Sequence, residues 1–440
     1  MKRIIATSIC FGLTLSGASL SAETLMDVFH LAEQQNPQYE AVKHRFEAQK
    51  EVLTIGRAAL LPQVSADAAW DWKKDDVDFT DGGPQTTGIA GRHGYDSKSI
   101  SLTLRQPIFN WYAIRRYQRA KREVAQSALQ FEGAHQQLIL GSAKVYLNVL
   151  LAEESLETAK TQKKSLEKYY LTVKKSYDAG LADVTTMDEA KARLDGADTD
   201  LITAENDLVI AKYDMDRFVG KKISDLDPVD RDMDLTLPVP ADRQHWVDAA
   251  VHGNLNLQAA ELGVQIARYK VGEASGNRYP TVDLVANQYW SEEDQIQRPV
   301  DIDDSFFGVR MSIPLFTGGL LSAQVKSSEA LLKASRSDRE EARRNAIYDT
   351  ASAYTNVFRY ESACQAARQA VTSSKSALES TKIAVSNGLR TPLDELDALR
   401  QYYSALQTES TARYAYLLSR LQLRYAIGDL RESDLATLMN

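Results

Sequence analysis

The chain has 440 residues, 44% of them hydrophobic and 25% charged, with a formal net charge of −8. That apolar share excludes a disordered chain and is enough for several domains or one large repeated unit. The acidic balance argues against nucleic acid as the main partner.

Lys2 and Arg3 precede a mostly apolar run from Ile4 to Leu20, then the small residues Ser21 and Ala22. That order predicts an export signal over 1–22, cut after Ala22. Cys10 falls in this leader, which leaves Cys364 alone in the mature chain. No internal disulfide can form, and no cysteine stands at the first mature position to carry lipid. Beyond the leader no run approaches the ~18 apolar residues of a membrane-spanning helix. A membrane-inserted form would therefore have to use strands.

Two copies of one unit follow. "ALLPQVSADAAWDW" (Ala59 to Trp72) is answered by "NRYPTVDLVANQYW" (Asn277 to Trp290), 218 residues on. "RQPIF" at Arg105 is answered by "SIPLF" at Ser312, and from Tyr146/Tyr354 to Gly220/Gly428 the offset is 208. The first repeat is read over 23–220, a connector over 221–245, the second repeat over 246–430 and a tail over 431–440.

In the first copy Val64, Ala66, Ala68, Trp70 and Trp72 alternate with polar residues, as do Ile100, Leu102 and Leu104. Period 2 with one apolar face predicts strands at about 62–73 and 97–108, and in the second copy at about 279–291 and 305–314. Each is long enough to cross a bilayer when tilted, although hairpins on a soluble core would show the same pattern. The intervals from Lys73 and from Ser291 are acidic, turn-rich and read as solvated loops, with metal binding there the lesser reading.

Long helices are predicted over about 110–178 and 318–386. Leu138, Val145, Ala152, Ala159, Leu166 and Val173 recur every seven residues, as do Ala346, Ala353, Tyr360, Ala367, Ser374 and Thr381 in the second copy. Such a repeat is a coiled-coil seam. Return helices are predicted over 183–219 and 391–427. Gly180 and Gly388 stand where a left-handed terminator is needed, and Pro392 suits the first turn of the next helix.

Chemistry is sparse. The six histidines show no metal-ligand spacing, and no phosphate loop or nucleophile elbow is present, so neither enzyme activity, cofactor nor metal is expected. Asp394 and Asp397 lie one helical turn apart, where a solvated face is the plainest reading.

The paired Pro-strand motifs, the Pro-Ile/Leu-Phe motifs and the Gly-Leu junctions "AGLADVTTMDEA" and "NGLRTPLDELDA" together resemble the TolC family of outer-membrane channels, over nearly the whole mature chain. The resemblance implies an α+β membrane protein located in the cell outer membrane and extending into the periplasm. A homotrimeric 12-stranded β-barrel, four strands per chain, would continue as a long α-helical barrel. It places pore-constricting aspartates on Asp394 and Asp397, with Arg390 as a latch, and adaptor-docking tips on Gly180, Leu181, Gly388 and Leu389. Thr186 stands where the family's best-known member has an acid, and Val385 where an inward tyrosine is expected, so a different closing network is implied.

The implied partners are outer-membrane lipid, a periplasmic adaptor and an inner-membrane transporter, either an ABC transporter or a proton-driven pump. The reading is an exit duct for type I protein secretion, with small-molecule efflux as the alternative. From another class, a periplasmic coiled-coil scaffold or adaptor would share the helices but not the amphipathic strand pairs.

Overall fold

The computed structural model describes residues 22–77, 91–223, 225–231, 233–294 and 300–439. The predicted leader lies outside the described residues except for Ala22, as do much of the first interstrand interval and the middle of the second.

Each repeat opens with a short and a longer helix: α1 (Leu25–Gln35) and α2 (Pro37–Ala58), then α5 (Arg243–Gly253) and α6 (Leu255–Gly276). The turn between each pair is set by an asparagine. The Asn36 side-chain oxygen accepts from the amides of Gln38 and Tyr39, while its amide donates to the carbonyl of Phe218 at 2.8 Å. Asn254 repeats the arrangement, accepting from Leu257 N–H and donating to Ala426 at 2.9 Å. One side chain thus caps a helix start and ties it to the end of the return helix of its own copy.

The strands β1 (Gln63–Val77), β2 (Gly91–Phe109), β3 (Thr281–Glu293) and β4 (Val300–Ser312) form one antiparallel sheet in that order. Register puts Val64 opposite Leu104, Ala68 opposite Ile100, Ile100 opposite Trp290, and Leu284 opposite Val309. One face is therefore apolar across all four strands, with Trp70, Trp72, Phe307, Val309 and Met311 exposed on it. The other carries Thr103 bonded to Asn287, and an Arg105–Asp283 ion pair at 2.7 Å. β1, β2 and β4 reach further into the interstrand intervals than their alternation indicates. Cross-strand pairs such as Lys73 opposite Tyr95 and Asp76 opposite Arg92 extend a ladder that apolar patterning cannot reveal.

Two rods dominate the rest: α3 (Trp111–Asp178, 68 residues) and α7 (Leu320–Ser386, 67 residues), with returns α4 (Val184–Val219) and α8 (Pro392–Ala426). At 1.5 Å per residue each rod spans about 100 Å. Seam positions Leu138, Ala159, Leu166 and Val173 are buried in α3, and Ala346, Ala353, Ala367 and Thr381 in α7. Among the described residues no helix is long and apolar enough to cross a membrane.

The main core lies midway along the rods. Ile139, Tyr146 and Leu150 of α3 meet Met215 and Val219 of α4, and Tyr416, Leu417 and Leu421 of α8. The segment between α4 and α5 is bound to this waist: Tyr146 donates to the carbonyl of Asp227 at 2.6 Å, Tyr416 to that of Thr236 at 2.7 Å, and Arg368 to those of Arg231 and Met233. The tail forms α9 (Glu432–Met439), whose Leu435 and Leu438 enter the same core.

Candidate gate and docking tips

At the ends of the rods far from the sheet, α3 turns into α4 and α7 into α8. Gly180 and Gly388 adopt φ of +69° and +72°, the left-handed region that costs an L side chain about 1–2 kcal/mol. Each ends its helix in a double-bonded turn. Gly180 N–H donates to Tyr177 and Leu181 N–H to Ser176; Gly388 N–H donates to Val385 and Leu389 N–H to Ala384. This geometry throws Leu181 and Leu389 outward, 84% and 79% exposed. Two leucines held in solvent on stiff turns form an apolar pair of tips.

The helix starts beyond the tips are capped differently. Asp183 accepts from Thr186 N–H at 2.7 Å. Thr391 and Asp394 form a reciprocal box: the Asp394 carboxylate accepts from the Thr391 amide at 2.8 Å and its hydroxyl at 2.7 Å, while the Thr391 oxygen accepts from Asp394 N–H. The Thr391 hydroxyl and amide hold the Asp394 carboxyl below its usual range, with Arg390 adding a smaller electrostatic pull. The bonds from Thr186 act likewise on Asp183.

Asp397, one turn further along α8, faces α4, where Arg193 reaches it at 3.3 Å. Tyr169 of α3 donates to the carbonyl of Pro392 at 2.8 Å, and Tyr403 of α8 lies 2.9 Å from the Ser165 hydroxyl. Behind these contacts Leu166, Ala197, Leu378, Leu396, Leu399 and Tyr403 pack into a second, smaller core. Glu395 is drawn against it, and burial raises its carboxyl above the usual value, with Lys382 partly opposing.

The expected site residues therefore separate into three groups. Gly180 and Leu181 form the α3–α4 turn, and Gly388 and Leu389 the α7–α8 turn. Asp394 and Thr186 serve helix starts, the latter by donating its amide to Asp183, and Arg390 stands beside Asp394 without an ion pair among the described residues. Asp397 alone bridges the two repeats. Its partner Arg193 and the clamp Tyr169 are absent from the sequence-based expectations, because both act across a helix interface that no local spacing marks.

The sequence model described as outer membrane efflux protein matches residues 28–221 and 246–429, most of the chain. The chain belongs to that family, the TolC family of outer-membrane channels. The outer membrane protein TolC of Vibrio cholerae serotype O1 is 29% identical over 99% of this chain and 97% of its own. The alkaline protease secretion protein AprF of Pseudomonas aeruginosa is 28% identical over 93% and 85%. The proteases secretion protein PrtF of Dickeya chrysanthemi is 27% identical over 97% and 92%. The solved CmeC outer membrane channel of Campylobacter jejuni superimposes with a TM-score of 0.79 at 16% identity, over 98% and 95% of the two chains.

The protein is thus an α+β channel subunit of the outer membrane reaching into the periplasm, and not an enzyme. Its four-stranded sheet has β1 and β4 as edges, and an unpaired edge cannot stand in lipid. The homotrimer supplies the closure, as three such sheets make a twelve-stranded barrel with the apolar face outward.

Proposed function

We propose that the protein is the outer-membrane exit duct of a type I secretion machine, which receives a protein substrate from an inner-membrane ABC transporter through a periplasmic adaptor. The observation that carries this reading is the nearly full-length similarity to two proteins named for protease secretion. The family description, which speaks of efflux, favours the second reading, in which a pump feeds small molecules into the same duct.

A deletion strain separates the two. Restoring the gene should return a large secreted protein to the medium while leaving sensitivity to dyes and detergents unchanged. Recovery of resistance alone would select efflux.

In this reading Leu181 and Leu389, with their glycines, are the adaptor-docking tips. The gate is the start of α8, held toward α4 by Asp397 and Arg193 and toward α3 by Tyr169. Asp394 contributes negative charge to the constriction while fixing the α8 cap, Arg390 tunes that charge, and Thr186 secures the facing start of α4. Three copies of each acid around the axis would attract cations and resist closure unless paired. The Arg193 bridge meets part of that cost.

A further inference from the structure

We propose that the helix ends just below the barrel form a basic collar that binds the phosphate groups of anionic glycerophospholipids in the adjacent membrane leaflet. The observation is a break in charge. The chain as a whole is acidic, at −8, yet between Asn110 and Arg122 it carries Arg115, Arg116, Arg119, Lys121 and Arg122 with no acid.

These residues begin α3 directly after β2 ends at Phe109, so at 1.5 Å per residue they fall within about 20 Å of the strand end. Side chains on a helix lean toward its N-terminus, and here that direction is toward the membrane. Long cationic side chains can therefore reach up to the headgroup layer while their stems stay on the protein.

Two neighbouring segments add to the same level. A Cβ on Gly56 would stand 3.0 Å from Ala120 Cβ, which sets exposed Arg57 beside the first turns of α3. A Cβ on Gly276 would stand 2.9 Å from the Tyr112 amide nitrogen, which sets exposed Arg278 level with the start of α3. Trp111 and half-exposed Tyr279 lie at this level with ring centroids 6.2 Å apart, and Arg115 lies over the Trp111 ring. Aromatic rings of this kind anchor at membrane interfaces.

Arg119 is excluded from the collar, because Glu123 and Glu273 both pair with it. Arg57, Arg116, Lys121 and Arg122 have no ion pair among the described residues, and the Arg278 side chain reaches the Leu321 carbonyl at 3.5 Å. The corresponding start of α7 is mixed, with Lys326, Glu329 and Lys333. The collar is thus built by the first repeat and the end of α6. Its continuity with the membrane-inserted strands, together with its charge, fits a lipid phosphate as the occupant.

The test uses the full-length assembled protein reconstituted in phosphatidylcholine bilayers with trace spin-labelled phosphatidylglycerol or phosphatidylcholine. The motionally restricted fraction reports lipid held by the protein. Wild type should favour phosphatidylglycerol, and this preference should fall as salt rises. Each cation near an anionic surface is worth roughly fivefold in association, so the triple variant Arg116→Gln, Lys121→Gln, Arg122→Gln should lose the preference by at least about fivefold. The control Lys326→Gln, Lys333→Gln should keep it. A wild type without preference, a triple variant that retains it, or a control that loses it equally would overturn the proposal. Displacement by lipopolysaccharide but not by phosphatidylglycerol would do the same, since it would place the bound phosphates on the other leaflet.

Discussion

Arg413 is the largest side chain with no exposure at all, and it sits in α8 on the stripe that buries Leu396, Leu399, Tyr403, Ser410 and Leu417. A cation at such a position is tolerated because Glu154 of α3 pairs with it and also accepts from Tyr414 at 3.1 Å, while Glu409 lies 3.6 Å from the Arg413 Nε. Removing Arg413 takes away the buried partner of Glu154 and leaves that carboxylate with the longer, more exposed contact to Arg231 at 3.7 Å and the Tyr414 hydroxyl. Arg413→Met should therefore lower stability by about 3–5 kcal/mol in denaturant unfolding, and the double variant with Glu154→Gln should recover part of that loss. Equal losses in the single and double variants would mean that the arginine acts by packing alone. The sequence does not disclose this residue. A charge on a helix reads as solvated until its partner, 259 residues away, is seen. Asp394 is the opposite case: Thr391 three residues before it, ahead of the apolar Leu396 and Leu399, is a local cap signal, and the resemblance to a pore-lining stretch draws attention from it.

At the scale of elements, the proposed gate depends on how the helix starts at the two junctions are capped. The folded-state acid constants of Asp183 and Asp394 are depressed, so their capping stabilises α4 and α8 above the ordinary carboxylate value of 3.8. That contribution is lost as pH falls through the depressed folded-state values. Protection of the amides in the first turns of α4 and α8, taken relative to their intrinsic exchange rates, should therefore hold from neutral pH down to about 4 and fall only in stronger acid. The heptad seams and both terminating glycines were readable because they depend on short, regular spacing. Arg193 was not, because the α4–α8 contact that brings it to Asp397 is a product of how the two copies pack. Gly388→Ala should strain the turn at φ +72° and speed exchange at Leu389 without unfolding the waist, since nothing near Gly388 would clash with the added methyl. Leu389→Asp should leave folding intact and abolish crosslinking to the adaptor.

At the scale of the molecule, a duplicated unit gives two strand pairs and two rods, and a waist built from both copies holds them in line. The strands alone left a soluble hairpin open as a reading; family membership and the unpaired edges of the sheet decide for the barrel. What duplication does not supply is asymmetry, and the proposed gate depends on it. Only the second junction has the aspartate that faces an arginine of the first copy. In the gate proposed above, opening would mean breaking the Asp397–Arg193 bridge and the Tyr169 bond to Pro392 while the waist stays fixed. The most direct measurement is single-channel conductance in planar bilayers of wild type, Asp397→Ala and Arg193→Ala. Wild type should form a small, cation-selective pore, and either substitution should enlarge it several-fold. Absence of channels in the wild type, or equal conductance in all three, would contradict a gate at this junction.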